Sequence, residues 1–558
     1  MKRIIIGCFL LLNLLLLHRV VRAQDVGQLA NQKPFDISGV FGVGIGTYNS
    51  NGIEPREHNF SYLFNGAPVV SIYGVSFPFS IVVSDQQRGF RQPFNQYGIS
   101  PTYKWITVHA GWQSVQFSQF TLAGYDILGG GVELNPGKLR FGFIYGRFNK
   151  AIEETSTQPL SFQTPAYKRT GYSAKLGYGT SNNHVDLVML NARDDEHSLK
   201  TPPSDLAPAE NLVIGLVSKF TFLKHFVWDV DVAGSIYTRN KLDDTIANLE
   251  LNKFDFIKKM ITLNSSTQLL TAGQTSLGYQ QKNYTIGLQY RRVDPDYKSM
   301  GAYYFETDVA NYTIQGAVRL LTNQLQLTGS LGFQNDNLRH DKAYTSHRDI
   351  SSLGVSFNKA KYGIDIRYSN YGITQDRGLN PIIDTFRVAR TNYNVNALLR
   401  YSMGDSLITH SFVLVGNVQS LVDLNHFTSG QNGSNSKTGN LSYQLGFTKS
   451  ALTLSTNFNY TVADIAMLHT ILYGPSLGIN KQLSQGKMGL SASVSYQLQD
   501  NNHINAGNIF NGTLNGSYRF SKRDGANVTL SYLKSNSKDV TLPSFNEIRS
   551  SFNLTHSF

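Results

Sequence analysis

The chain has 558 residues, of which 16% are charged and 12% aromatic, with 49 glycines and a formal net charge of +12. A soluble protein of this length normally divides into two or more domains and is about a quarter charged, so the composition argues against an ordinary soluble enzyme. It leaves two classes, a β-barrel and a water-soluble secreted all-β protein such as a propeller or solenoid.

At the N-terminus Lys2 and Arg3 precede an apolar run from Ile4 to Leu17, and Val21-Arg22-Ala23 forms a small-residue ending before Gln24. This is the pattern of a cleaved secretory signal, too short to span a bilayer, which needs about 20 apolar residues. Residues 1–23 are expected to be a signal peptide and 24–558 the folded part, which keeps 46 basic against 38 acidic residues. The single cysteine, Cys8, lies within the signal, so neither disulfides nor thiolate chemistry are expected in the mature chain. The stretch between the signal and the first strand candidate is too short for a plug domain ahead of a barrel.

From there onward, segment after segment alternates apolar with small polar residues for nine or more positions, the period of a strand with two unlike faces. Phe41–Tyr48 and Thr102–Ala110 fit this pattern in the Gly-rich N-terminal third. Tyr284–Tyr290, Tyr312–Leu320, Leu325–Phe333, Tyr362–Tyr368, Leu441–Phe447, Leu452–Tyr460, Met488–Leu498 and Phe510–Phe520 follow. In Met488–Leu498 one face reads Met488, Leu490, Ala492, Val494, Tyr496, Leu498, and the other Gly489, Ser491, Ser493, Ser495, Gln497. Soluble strands are shorter and carry Lys and Glu on the polar face, whereas a lipid-facing barrel strand needs about 9–11 residues with an uncharged apolar face. Tyrosines at the ends of those faces, such as Tyr172 and Tyr178, Tyr284 and Tyr290, and Tyr362 and Tyr368, suit girdles at the lipid headgroups.

The connections alternate between tight and long. Asn135-Pro136-Gly137, Ser181-Asn182-Asn183, Gln281-Lys282-Asn283, Leu321-Thr322-Asn323, Asn358-Lys359-Ala360, Thr448-Lys449-Ser450 and Ser484-Gln485-Gly486 read as hairpin turns. Between them lie long polar stretches near 150–168, 194–210, 240–273, 293–309, 335–348, 372–388, 421–438, 462–473, 499–507 and 536–545. Tight turns on one side and long loops on the other form the periplasmic and extracellular ends of outer-membrane barrels, while a propeller or solenoid would repeat one unit at fixed period, and no such repeat occurs. After about residue 124 the hairpins give roughly 21 strands, and about five more fit before it. The predicted fold is all-β: a single large transmembrane antiparallel up-and-down barrel of about 26 strands, with a range of 22–28, short periplasmic turns and long extracellular loops.

The chain ends Phe552-Asn553-Leu554-Thr555-His556-Ser557-Phe558, with Phe552, Leu554 and Phe558 on one face. This resembles the C-terminal insertion signal of outer-membrane barrel proteins, and the resemblance implies recognition by the barrel assembly machinery. His556 departs from it, standing where an apolar residue is usual. The Ala23-Gln24 junction, the Tyr- and Asn-rich strands and the segment Arg292-Val293-Asp294-Pro295-Asp296-Tyr297-Lys298-Ser299-Met300-Gly301-Ala302-Tyr303-Tyr304 are similar to large porin-like barrels of the Bacteroidota type. That resemblance implies envelope transport, secretion or adhesin display in the outer membrane.

A closed sheet of more than twenty strands encloses a lumen too wide for its own side chains to fill, so loops or a partner are expected to constrict it. One candidate is the loop from Asn240 to Gln274, where Thr245–Leu251, Phe254, Phe256, Ile257, Met260 and Ile261 suit a short amphipathic helix folded into the mouth, or else an ordinary outside loop. The second is the plug or partner loop with Asp294, Pro295, Tyr297, Tyr303, Tyr304 and Phe305, stiffened by Pro295 and Gly301, which suits docking in the lumen, against a partner or on other loops. Alternation turns Arg140, Lys175, Arg291, Arg319, Arg367, Arg400 and Arg519 inward, with Asp186, Asp229, Asp231 and Asp365. Such residues either favour anionic solutes and acidic polypeptide or form cross-strand pairs.

No catalytic, cofactor or metal site is expected: His340 and His347 lack zinc-ligand spacing, and no Gly-rich phosphate loop is present. The expected function is an outer-membrane channel or translocation barrel for solutes or polypeptide, gated by loops or a plug partner. The alternative is a structural or assembly barrel anchoring a surface-exposed or secreted partner, and a barrel enzyme comes third. Expected partners are outer-membrane lipid, the assembly machinery and a plug or surface protein, with no role for nucleic acid.

Overall fold

The protein is described by a computed structural model that covers residues 33–73, 75–85, 96–153, 165–244, 255–302, 306–377, 387–465, 468–539 and 542–558. The signal-peptide assignment at 1–23 lies outside the described residues. Backbone groups that lose water in lipid have to pair within the protein, and a sheet avoids unpaired edges only by closing on itself. The chain closes with 26 antiparallel strands in simple up-and-down order. The first are β1 (Phe35–Ser38, continuing past Gly39 as Val40–Asn51), β2 (Phe60–Gly66, continuing as Val69–Ile72), β3 (Val75–Ser84), β4 (Gln96–Ile99 with Thr102–Tyr103) and β5 (Ile106–Ser114). Then come β6 (Asp126–Leu134), β7 (Leu139–Asn149), β8 (Arg169–Gly179), β9 (His184–Asp194), β10 (Glu210–Phe222), β11 (Phe226–Thr238), β12 (Thr267–Gln280) and β13 (Tyr284–Val293). The next are β14 (Val309–Leu320), β15 (Leu325–Asn335), β16 (Tyr344–Asn358), β17 (Tyr362–Arg377), β18 (Ala389–Gly404), β19 (Ile408–Asp423) and β20 (Ser434–Phe447). The last are β21 (Leu452–Ile465), β22 (Leu468–Leu483), β23 (Met488–Asn501), β24 (Ile504–Arg519), β25 (Asp524–Ser537) and β26 (Phe545–Ser557).

β26 pairs with β1 over twelve positions, from Val40 opposite Ser557 to Asn51 opposite Asn546. A clasp of side chains locks this seam: buried Glu547 accepts from the Tyr48 hydroxyl at 2.8 Å and pairs with Arg549 at 3.1 Å and Arg56 at 3.5 Å. With strands about 4.8 Å apart and tilted near 40°, such a ring has a circumference on the order of 160 Å.

One end carries twelve short turns of two to four residues, while connections at the other run to 28 residues (239–266). Two stretches expected as long loops, 462–473 and 499–507, are mostly strand among their described residues. β21 and β22 continue to Ile465 and Leu468, and β23 and β24 meet at the two-residue turn Asn502-His503. Both turn residues have positive φ, 49° and 65°, the mirror-image hairpin geometry that matches strand twist. Strands of 16 residues climb about 40 Å along the axis, beyond a lipid belt of about 25 Å.

Outward positions are apolar and exposed, among them Leu176, Leu187, Ile286, Leu288, Leu441 and Leu514. Phe222, Phe226, Tyr279 and Tyr284 form an aromatic chain around the short-turn end, with centroid separations of 5.4, 4.8 and 5.9 Å. Phe552 and Leu554 share this face on β26, and His556 bonds to Asp524 at 2.5 Å. Phe558 packs edge-on against the His556 ring.

Candidate functional site in the barrel lumen

Along one arc the inner wall is apolar. Ile144 and Phe148 on β7, Val188 and Leu190 on β9, Val213 on β10, Leu270 on β12 and Val293 on β13 all point inward and are buried. Apolar side chains facing a wet lumen would be costly, and here they are covered by two loops. The β5–β6 connection turns down into the barrel, inserting Val115, Phe117, Phe120 and Leu122 into that core. The β13–β14 connection adds Tyr297 and Met300. Burying each large side chain contributes about 1.5–3 kcal/mol.

Polar anchors fix the loops. Asp231 on β11 accepts from Ser118 Oγ at 2.7 Å and from the Gln119 amide at 2.9 Å. The Tyr297 hydroxyl donates to the Phe120 carbonyl at 2.9 Å, Ser299 Oγ to the Thr121 carbonyl at 2.6 Å, and the Met300 amide to Asn211 Oδ1 at 2.9 Å. Burial pushes the Tyr297 phenol well above its ordinary value, so it remains a donor. The loops also join through a two-residue parallel ladder, Leu122-Ala123 against Gly301-Ala302. Glycine makes the close approach feasible: a Cβ on Gly301 would meet Leu190 at 2.9 Å, and one on Gly215 would meet Thr121 Oγ1 at 2.7 Å.

Of the second loop candidate, Tyr297 lies in the lumen. Asp294 caps Thr271 at 2.6 Å, and the Pro295 carbonyl accepts from Arg339 at 3.4 Å. Tyr303, Tyr304 and Phe305 are outside the described residues, as are 245–254 of the first candidate. That first loop ends where β12 begins at Thr267, and its helix spans only Asp255–Lys258. Its described part, 255–266, lies on the outer side of the wall rather than in the mouth. Met260 accepts from Asn191 at 2.6 Å, while Thr262 accepts from Thr238 at 2.7 Å and donates to Glu210 at 3.0 Å. These three wall residues alternate with lumen-facing neighbours and turn outward. The 115–125 segment, passed over in the sequence, fills the place expected of 240–274. Phe117, Phe120 and Leu122 in a connection, beside strands such as β10 that are apolar on both faces, were the available signal.

The seven basic positions all face inward by register. Arg140 grips Asp186 through two bonds of 2.7 and 2.9 Å, Lys175 pairs with Glu133 at 3.2 Å and lies over the Phe117 ring, and Arg367 pairs with Asp365 at 2.8 Å. Arg291 stacks 5.5 Å over Phe120. Arg400 donates to the Lys359 carbonyl at 3.3 Å, and Arg319 and Arg519 make no ion pair among the described residues.

Among the described residues no loop enters the opposite arc, and its inner wall at mid-depth is uncharged from β19 to β23. Carboxamides and hydroxyls run across it from neighbour to neighbour: Asn417 donates to Asn394 at 3.1 Å, Asn440 to Asn459 at 2.5 Å, Asn457 to Ser476 at 3.1 Å and Asn515 to Ser491 at 3.3 Å. At the short-turn end this arc holds a cavity of about 790 Å³ lined by Asn65, Asn480, Asn515, Asn527, Asn553 and Arg519.

Charge divides between the two ends. The short turns carry Lys104, Lys138, Lys224, Lys282, Lys359 and Lys361 along one stretch, and Lys449, Lys487, Lys522 and Arg523 along the next, against one acid, Asp405. Among the described residues none of these bases lies in an ion pair. The long-loop end is self-neutralised, with Arg169–Asp194 at 2.8 Å, Lys241–Glu196 at 3.7 Å, Arg387–Asp376 at 3.2 Å, and the Lys342–Asp308 and Arg348–Glu306 pairs.

No protein-family model and no curated protein matches the chain. Among solved structures it is similar to the FrpB iron transporter from Neisseria meningitidis (F3-3 variant), with 9% identity over 93% of this chain and 82% of that one and a TM-score of 0.37. It is also similar to the P pilus usher (PapC) translocation pore, at 10% identity, 94% and 100% coverage and TM-score 0.29, and to Pseudomonas aeruginosa OccK2 (OpdF), at 10%, 94% and 98%, and 0.29. A functional reading therefore rests on the chain's own geometry.

Proposed function

We propose that this is an outer-membrane channel whose lumen is narrowed on one side by its own docked loops and left open along a neutral, hydrophilic wall on the other. The observation that carries the reading is the uncharged band of Asn, Ser and Thr on β20–β23, which offers hydrogen bonds to a passing polar solute without holding a charged one. The exposed apolar outer belt and the closed seam suit a barrel in a bilayer, and the short turns suit the periplasmic side. Reconstitution into planar bilayers tests it: steady ion steps are expected, and a silent, folded barrel counts against it.

A second reading, an anchor for a surface partner, draws on exposed apolar residues at the long-loop tips, namely Leu424, Phe427, Ile465 and Ile504. Stoichiometric co-purification of a surface protein from outer membranes would favour it.

A further inference from the structure

We propose that the short-turn end is a receiving face for an acidic segment of a periplasmic polypeptide, which lies across the basic collar and enters the cavity beside Arg519 and Lys487. The inference takes its sidedness from the outer-membrane reading above.

Three observations converge. The turns carry ten basic side chains against a single acid, and among the described residues none of the ten is in an ion pair, while the loop end of the same barrel neutralises itself. Fixed charge of one sign around a low-dielectric opening concentrates a counter-charged ligand there. Second, the collar continues inside the mouth: Arg319, Arg400 and Arg519 stand at or near the turn ends of β14, β18 and β24 with inward registers. Anionic lipid headgroups reach the outer rim of a barrel but not these positions, which favours an occupant that covers the opening. Third, the cavity of about 790 Å³ lies where none of the described loops enters, and its lining combines Asn and Ser side chains and glycines with a few apolar residues such as Leu63, a mixture suited to an extended peptide with its backbone and side chains.

The test uses the full protein in phosphatidylcholine nanodiscs and a fluorescein-labelled oligoglutamate peptide read by anisotropy. Binding is expected, with affinity falling steeply as salt rises, and an oligolysine peptide should not bind. Replacing Lys224, Lys282, Lys449 and Lys522 by Gln is expected to weaken binding at least roughly tenfold, as is replacing Arg319, Arg400 and Arg519. Replacing the loop-end Lys168, Lys200 and Lys538 should leave it unchanged. Should a multiple variant fail to fold, the wild-type salt dependence and the oligolysine control still decide. Absence of oligoglutamate binding, or equal loss from the loop-end set, overturns the proposal. A collar that binds phosphatidylglycerol in mixed nanodiscs but no peptide belongs to lipid instead. A barrel that conducts without binding the peptide defeats this inference alone, and one that binds without conducting defeats only the channel reading.

Discussion

Asp231→Ala removes the carboxylate that holds the inserted β5–β6 loop. Two hydrogen bonds are lost, from Ser118 Oγ and the Gln119 amide, each worth about 1.5–3 kcal/mol when the acceptor is ionised. Some is regained when water enters the space left by the carboxylate, so the docked loop should lose about 3–4 kcal/mol, roughly a hundred- to a thousandfold in its opening equilibrium. Phe117, Phe120 and Leu122 remain buried and still contribute about 1.5–3 kcal/mol each, so the loop stays docked most of the time. Hydrogen exchange read by mass spectrometry should therefore accelerate by that factor in peptides covering 115–125, with β20–β21 peptides as an unchanged internal reference. Mean channel current should barely move, and adding Phe120→Ala should produce frequent large openings. Exchange in 115–125 that matches wild type would show that the carboxylate does not hold the loop.

Gly215→Val should displace the same loop from the wall side, since its Cβ would lie 2.7 Å from Thr121 Oγ1; higher single-channel current is expected. Glu547→Gln removes the buried charge that holds Arg56 and Arg549 at the seam, though Arg549 keeps Glu57, and the temperature at which the compact band is lost on gels should fall, in line with about 1–3 kcal/mol for lost hydrogen bonds to a charged group. Asn459→Asp places a negative charge in the neutral band, and the reversal potential under a salt gradient should shift toward cations. Burial opposes ionisation of Glu306, but hydrogen bonds from Arg348 and Gln334 and the nearby Arg charges hold its carboxyl below the usual range. A depressed carboxylate contributes stability above its unfolded pKa and loses it as pH falls through the folded value. The thermal advantage of wild type over Glu306→Gln should therefore be present at neutral pH and vanish on acidification below the ordinary carboxylate range.

Strand number and turn positions were legible because one-sided alternation and Gly, Asn and Lys turns are local. Met488–Leu498 reads as strand without any tertiary knowledge, and β23 runs from Met488 to Asn501. The hairpin at Asn502-His503 was not legible, because neither residue announces positive φ as strongly as glycine does. The inserted loop was harder still. Its site is written in distant strands, where Val188, Leu190 and Val213 break the polar-inside rule, and what covers them is fixed only once the ring has closed. The inward register of the basic residues followed from alternation. Which would find partners did not: Arg140 meets Asp186 across two strands, while Arg519 makes no ion pair among the described residues.

Where the chain's two ends meet, β1 and β26 share twelve rungs and the Glu547 clasp. Opening the ring at the junction of its termini therefore means breaking a full ladder of backbone bonds and a buried side-chain lock at the same time, so the last strand to be made also seals the first.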